Sequence, residues 1–283
     1  MYCITIASDP RLRDDLYGVL EHCCPWGWAE TLDDAGLTFT VHCPQQAEAR
    51  RIQRTLLSRH PELSIHIRTE QIQDWSRAWQ DYFQALPLAE KFRIIPSWER
   101  DIQGNIPEIP VFIEPGMAFG TGHHASTQLC LKALATLWDG GRITADSFFL
   151  DLGTGSGILG IAAVKLGCKG LALDIDPVAV ANAGGNRALN DVRDPLLLSA
   201  GSLECLKPAR DFSLILANIL SVPLIRMAPA INSRLRSSGL LVLSGILQEQ
   251  EEAVVQAYAC QNIRLEQALH EDEWSGLIFV KEE

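Results

Sequence analysis

Apolar and polar positions along the first 68 residues follow a pattern that predicts six short elements. Strands are predicted at 2–7, 26–32, 37–43 and 63–68, and helices at 10–23 and 47–57. Asp9 and Pro10 have the residue types of an N-cap and a first helical position. The βαββαβ order predicts a small α+β domain of the ferredoxin-like type at residues 1–68. Because that fold serves many functions, it names none by itself.

The rest of the chain alternates helices with apolar strands. Residues 70–84 predict a helix with Trp75, Trp79 and Phe83 on one face, which we interpret as part of a linker at 69–91. Further helices are predicted at 124–137, 156–167, 177–190, 222–235 and 248–260, and strands at 110–113, 147–152, 169–174, 196–199, 212–217, 239–244, 263–267 and 276–281. Such strands predict an α/β domain with a mostly parallel, Rossmann-like sheet at 92–283. Two closing strands without a helix between them predict one antiparallel strand at a sheet edge.

The segment Asp151-Leu-Gly-Thr-Gly-Ser-Gly157 lies between a predicted strand and a predicted helix. Glycines at such a turn let a ligand approach the backbone, and Asp174 ends the next apolar strand, where an acid can bind the hydroxyl groups of a ribose. A nucleoside cofactor is therefore expected. A dinucleotide fingerprint needs a glycine where Ile158 stands, and no Gly-Lys-Ser/Thr follows for a P-loop. The tighter spacing favours S-adenosylmethionine.

Two further features point to the same crevice. The strand at 212–217 leads to Asn218, whose neutral amide can accept a hydrogen bond from an amine or contact the cofactor, or can simply cap the next helix. The segment 114–127 is rich in glycine and feeds a helix, so its backbone N–H groups and Thr127 could meet a ligand carboxylate. Its adjacent histidines, His123 and His124, lack the further ligands that a metal site needs, so no metal is expected.

Bulk composition limits the partners. The formal net charge is −11, which disfavours non-specific nucleic-acid binding and favours a basic protein partner or ordinary solubility. Eight scattered cysteines without a Cys-x-x-Cys pair, and the lack of an evident secretion signal or membrane span, predict a cytoplasmic protein. We expect a monomer with no sequence-specific nucleic-acid binding and no membrane association.

Several motifs together resemble the PrmA family, the methyltransferases of ribosomal protein L-eleven of the large subunit. The resemblance runs from about residue 74 onward and is carried by Asp74-Trp-Ser-Arg-Ala-Trp79, Pro96-Ser-Trp-Glu99, Pro115-Gly-Met-Ala-Phe-Gly-Thr-Gly-His-His124, Asp151 to Leu159, Asp174-Ile-Asp-Pro177, Ala217-Asn-Ile-Leu220 and Ser244-Gly-Ile-Leu247. It implies a seven-stranded methyltransferase domain at 92–283, a substrate-recognition domain at 1–68, and a ribosomal protein substrate, free or on the large subunit.

The resemblance also implies site residues. Thr127, Gly153, Asp174 and Asn218 are expected to contact S-adenosylmethionine, together with Gly155 and Phe119, and Asn218 is the catalytic candidate. The segment Asn182-Ala-Gly-Gly-Asn186 departs from the helix-favouring residues expected there, since each mid-helix glycine costs about 1 kcal/mol relative to alanine.

The reaction implied is attack of a protein amine, from lysine side chains or an N-terminus, on the sulfonium methyl group. Three alternatives stay open at this point. One is another methyl acceptor, namely RNA, a glutamine side chain or a small amine. A second is a cofactor-binding module that interacts with ribosomes without catalysis. The third is a dinucleotide oxidoreductase, which Ile158 disfavours.

Overall fold

The computed structural model describes residues 2–24, 28–33, 36–43, 45–69, 83–100, 107–115, 119–206 and 212–282. The chain divides into two compact units, Met1–Tyr82 and Phe83–Glu283. The predicted helix at 70–84, with Trp75 and Trp79, falls at 70–82 outside the described residues, so the linker at 69–91 and the predicted domain limits stay predictions.

The first unit contains the six elements in the predicted βαββαβ order. They are β1 (Tyr2–Ser8), α1 (Arg13–Cys23), β2 (Ala29–Asp33), β3 (Gly36–Cys43), α2 (Gln46–Arg59) and β4 (Ser64–Thr69). The sheet order is β2-β3-β1-β4, and every neighbouring pair is antiparallel. Asp9 accepts a hydrogen bond from Arg11 N at 2.8 Å, so it caps the turn that leads into α1. Alternate residues of β1 and β3, such as Ile4 and Phe39, form the core with both helices.

The second unit begins with a small three-stranded sheet. Its strands are β5 (Leu86–Leu88), β6 (Phe92–Pro96) and β7 (Ile109–Ile113), in that order. Only β7 was predicted. The other two strands are short and contain Pro87 and Pro96, so their sequences have little strand periodicity.

The larger sheet has seven strands. They are β8 (Phe148–Leu152), β9 (Lys169–Asp174), β10 (Leu196–Ala200), β11 (Phe212–Asn218), β12 (Leu235–Leu247), β13 (Ile263–Glu271) and β14 (Trp274–Lys281). Their order is β10-β9-β8-β11-β12-β14-β13. The strands β8 to β12 pair in parallel, and β14 is antiparallel to both of its neighbours. The antiparallel strand was predicted at an edge. That position is wrong, because the β13–β14 hairpin folds back so that β14 lies between β12 and β13.

Helices cover both faces of this sheet. They are α3 (Ala125–Asp139), α4 (Ile158–Lys165), α5 (Pro177–Leu189), α6 (Ser221–Asn232) and α7 (Glu251–Ala259). Successive strand residues point to opposite faces, so Phe149 packs with α3 and α4 whereas Leu150 packs with α6 and α7. This double burial is why the strands are continuously apolar. Despite its two glycines, α5 is continuous, and the side chain of Asp176 caps it by accepting from Val178 N at 2.8 Å.

All eight cysteines are free thiols, and five of them are buried, where a thiol acts as a small apolar group. Among the residues that the structure describes, no helix has the length and apolar character needed to cross a membrane.

Candidate active site

The candidate crevice lies where the strand order of the large sheet reverses. On one side of β8 the chain continues to β9 and β10, and on the other side it continues to β11 and β12. β8 and β11 stay paired up to Leu152 and Ala217, but the helices that follow them, α4 and α6, lie on opposite faces of the sheet. The two connections therefore diverge and leave a crevice at the carboxyl ends of the strands, which is where open α/β sheets bind ligands. The glycine turn follows β8, and Asn218 is the last residue of β11.

The glycine turn has a backbone that other residues cannot adopt without strain. Gly153, Gly155 and Gly157 have φ values of +71°, +55° and +85°. A Cβ atom at Gly153 would lie 2.5 Å from the side chain of Ile219, and one at Gly155 would lie 2.5 Å from the carbonyl oxygen of Phe119. The turn therefore needs glycine both for its conformation and for its close contacts with neighbouring segments.

Asp174 is joined to this turn by hydrogen bonds. Its Oδ2 accepts from Gly155 N at 2.9 Å, and its Oδ1 accepts from Asp176 N at 3.0 Å. The backbone N–H groups of Gly153 and Thr154 both donate to the carbonyl of Leu173, at 2.8 and 3.0 Å. The ends of β8 and β9 are thus held side by side, with the carboxylate at the crevice.

Thr127 and Asn218, which are far apart in the sequence, meet at the other side of the crevice. Asn218 Nδ2 donates to Thr127 Oγ1 at 3.1 Å. Thr127 is fully buried on α3, and Asn218 pairs with Ser244 of β12 in the sheet. Asn218 Oδ1 is buried and has no hydrogen-bond partner among the described residues. An acceptor in this state is available to a donor that enters the crevice.

Phe119 touches the glycine turn through its backbone. Its carbonyl accepts from Ser156 N at 2.9 Å, and the next carbonyl, of Gly120, accepts from Ser156 Oγ at 2.5 Å. Phe119 is 55% exposed, and the centroid of its ring lies 5.1 Å from the centroid of the His124 ring. The structure thus brings Phe119, Gly153, Gly155 and Asp174 to one side of the crevice.

An apolar rim, which the sequence pattern did not indicate, lies on the segments that follow the carboxyl ends of β9 and β11. Large apolar side chains are exposed on the segments that follow β9 and β11, at Ile175, Val178, Leu220 and Val222. Exposed apolar residues clustered beside a concave polar site are typical of a ligand- or partner-binding surface.

The sequence interpretation missed the role of Asp151, the first residue of the glycine motif. Asp151 is fully buried; its Oδ2 accepts from Thr154 Oγ1 at 2.6 Å and from Gly160 N at 3.0 Å. Its Oδ1 has no hydrogen-bond partner among the described residues. Burial raises the pKa of this carboxyl to about 6, against the opposing hydrogen bonds from Thr154 and Gly160. A charged residue inside an apolar strand was the available signal.

This sheet and this site together define a class of protein. Seven strands in this order, with one reversed strand next to the edge and a glycine turn bonded to an acid at the next strand end, form a Rossmann-like methyltransferase domain. The glycine turn, Asp174 and Asn218 all lie at the carboxyl ends of its strands.

Comparison with known proteins identifies the family. The model of the family described as "Ribosomal protein L11 methyltransferase (PrmA)" matches residues 32–282. The chain belongs to this family, and S-adenosylmethionine is its cofactor.

Individual relatives agree with this assignment. The chain is 43% identical over 228 residues to the ribosomal protein L11 methyltransferase of Pelobacter propionicus, covering 79% of this chain and 73% of that protein. It is 35% identical over 257 residues to that of Syntrophotalea carbinolica, covering 87% and 82%. A crystal structure of a ribosomal protein L11 methylase from Lactobacillus delbrueckii subsp. bulgaricus superposes with a TM-score of 0.63 at 32% identity, covering 71% of this chain and all of that one.

Proposed function

We propose that this protein transfers the methyl group of S-adenosylmethionine to amino groups of ribosomal protein L11, on lysine side chains, the N-terminus or both. The observation that carries the proposal is the family match over residues 32–282, in a chain that retains the glycine turn, Asp174 and Asn218. The predicted domain at 1–68 would recognise the substrate, and the domain at 92–283 would hold the cofactor.

The residues at the crevice fit S-adenosylmethionine. The glycine turn leaves no room for a Cβ at Gly153 or Gly155, so a side chain at either position would displace Ile219 or Phe119 beside the cofactor. Asp174 would accept from the ribose hydroxyl groups, and Thr127 would contact the amino-acid end of the cofactor. The orphan oxygen Asn218 Oδ1 matches the N–H groups that the cofactor and an incoming amine both carry. The cofactor supplies a methyl group on a sulfonium, which needs no further activation by the protein.

The work left to the protein is to present an uncharged amine. A lysine with a pKa of about 10.4 is deprotonated at pH 7 at a cost of roughly 3.4 pKa units, or about 4.6 kcal/mol, and an N-terminal amine of pKa about 7.7 costs about 1 kcal/mol. An amine buried beside the apolar rim at Ile175 and Leu220 would have a lowered pKa. Asn218 Oδ1 would then accept an N–H of the neutral amine and orient its lone pair.

Labelled S-adenosylmethionine offered together with purified ribosomal protein L11, large subunits and ribosomal RNA tests this function. Mass spectrometry should find methyl groups on L11 amines. Methylation of RNA, of a glutamine side chain or of a small amine would assign another acceptor. Cofactor binding without transfer to any of them would favour a non-catalytic module.

Replacing Asn218 by alanine tests its role. We expect the turnover number to fall roughly fivefold to a hundredfold, since removal of one hydrogen-bonding partner from a buried site costs about 1–3 kcal/mol. Asn232→Ala is the matched control, because Asn232 Oδ1 is also a buried amide oxygen without a partner among the described residues. It lies at the far end of α6, close to Arg234, whose carbonyl accepts from Phe212 N at the start of β11. Equal turnover in the two variants would contradict the assignment.

A further inference from the structure

Three asparagines lie on one face of α5 and its C-cap at intervals of four residues. Asn182, Asn186 and Asn190 follow the helical repeat that places side chains one above another. Asn186 is fully buried and Asn190 is 6% exposed. Buried amides are costly unless their polar atoms are bonded, so their partners indicate why a helix with weak intrinsic propensity carries them.

Both buried asparagines bond the backbone of the segment formed by β7 and the residue that follows it. Phe112 N donates to Asn190 Oδ1 at 2.9 Å, and Asn190 Nδ2 donates back to the carbonyl of Phe112 at 2.5 Å. Two residues further on, Glu114 N donates to Asn186 Oδ1 at 2.8 Å. Because β7 is an edge strand of its sheet, the amides occupy backbone groups that a neighbouring strand would otherwise pair.

Asn186 makes one contact that Asn190 does not make. Its Nδ2 donates to the carbonyl of Ser156, in the glycine turn, at 2.9 Å. Ser156 is the residue whose N–H and hydroxyl hold the carbonyls of Phe119 and Gly120. Asn186 is therefore bonded directly to residue 114 and, through Ser156, to residues 119 and 120.

The packing of α5 against the turn is equally close. A Cβ at Gly157 would lie 3.1 Å from Cβ of Ala183. A larger side chain at Ala183 would push the helix away and stretch the bond from Asn186 to the turn. Gly184 and Gly185 have room for a methyl group, and nothing in the structure explains them.

We propose that Asn186 is a positioning residue, which holds the glycine turn in its cofactor-binding conformation and joins it to the segment that begins at Glu114. This role deepens the proposed function and rests on it, since the turn is taken to be the S-adenosylmethionine site. Asn190 bonds Phe112 of β7 and, through Nδ2, the carbonyl of Asn186 at 2.9 Å, and among the described residues it makes no hydrogen bond to the glycine turn. Asn182 Oδ1 only accepts a longer bond, of 3.3 Å, from Asn186 Nδ2.

The test compares Asn186→Ala with Asn190→Ala and Asn182→Ala in the full chain. Hydrogen exchange is measured by mass spectrometry without cofactor, and cofactor affinity is measured by calorimetry. For Asn186→Ala we expect exchange in peptides covering 153–158 to speed up at least tenfold and the dissociation constant to rise at least tenfold. For Asn190→Ala, faster exchange should be confined to 109–113 and affinity should stay within twofold of wild type. Asn182→Ala should change neither beyond twofold.

Asn186→Asp tests the bond to Glu114 N and the bond to the Ser156 carbonyl separately, and it replaces the alanine variant if that variant does not fold. It keeps an acceptor for Glu114 N but cannot donate to Ser156, so exchange should speed up in the turn and remain slow at 112–114. Equal effects of the Asn186 and Asn190 variants, or unchanged exchange in the turn, would overturn the proposal. If wild type binds no S-adenosylmethionine, the proposed function fails, whereas the exchange contrast still decides the role of Asn186.

Discussion

Replacing Asp151 by asparagine should remove a pH-dependent loss of stability from the folded protein. The carboxyl is fully buried, and burial raises its pKa from 3.8 to about 6. Above pH 6 the folded state therefore carries a buried charge that the unfolded chain keeps in water. As the pH falls through 6, the folded state takes up a proton that the unfolded chain takes up only near 3.8, so folding is favoured progressively across this window.

The difference between the two pKa values, about 2.2 units, corresponds to about 3 kcal/mol. The free energy of unfolding of wild type, minus that of Asp151→Asn, should accordingly rise by about 2 kcal/mol as the pH falls from 7.5 to 4, and the rest of the difference is gained below pH 4, where the unfolded carboxyl is also protonated. Taking this difference cancels the titration of groups that both proteins share. Urea unfolding, followed by tryptophan fluorescence and circular dichroism at closely spaced pH values, measures it.

A second variant tests the cause. The hydroxyl of Thr154 donates to Asp151 and lowers the pKa of the carboxyl. Thr154→Val should therefore move the transition to higher pH without removing it. If the difference in the free energy of unfolding between wild type and Asp151→Asn does not change between pH 4 and 7.5, the reasoning is refuted. A fully buried carboxyl that loses its proton in this range must change the stability of the fold.

Two predictions concern cofactor affinity. Gly155→Ala should weaken S-adenosylmethionine binding at least tenfold, because its Cβ would meet the Phe119 carbonyl at 2.5 Å. Gly141→Ala is its control, since φ there is +66° with open space around the Cβ position, and it should cost only about 1 kcal/mol of stability. Asp174→Ala should weaken affinity by roughly tenfold to a hundredfold, since a hydrogen bond to a charged group contributes about 1.5–3 kcal/mol; unchanged affinity by calorimetry would remove the ribose assignment.

Periodicity predicted the large sheet well because its central strands are buried on both faces and because some of its helices, α5 above all, begin with a recognisable cap. Asp176 and Pro177 open α5 as their residue types indicate. The position of β14 could not be read in the same way, because strand order depends on how the β13–β14 hairpin folds back, and a hairpin can pair through either of its strands. The strands β5 and β6 were missed because short strands containing proline have no clear repeat.

The site divides along a similar line. Glycines and a strand-end acid are local signals, so the turn and Asp174 could be predicted from neighbouring residues alone. The pairing of Asn218 with Thr127 depends on the tertiary structure, since α3 and β11 are far apart in the sequence. Asn186 was noticed only as part of an unfavourable helix. The repeat of asparagines at intervals of four was the signal that could have revealed its buried face.

Because β14 lies between β12 and β13, the sheet cannot be completed in the order in which the ribosome synthesises its strands. During translation β12 leaves the ribosome well before residues 274–281, so one of its edges stays unpaired until β14 is made. Ser244 of β12, the sheet partner of Asn218, donates its hydroxyl to the carbonyl of Ser275 at 2.8 Å. The strand that bonds Ser244 is therefore the one synthesised last among the seven. A nascent chain that stops before β14 would leave this edge of β12 unpaired, and an unpaired strand edge invites aggregation.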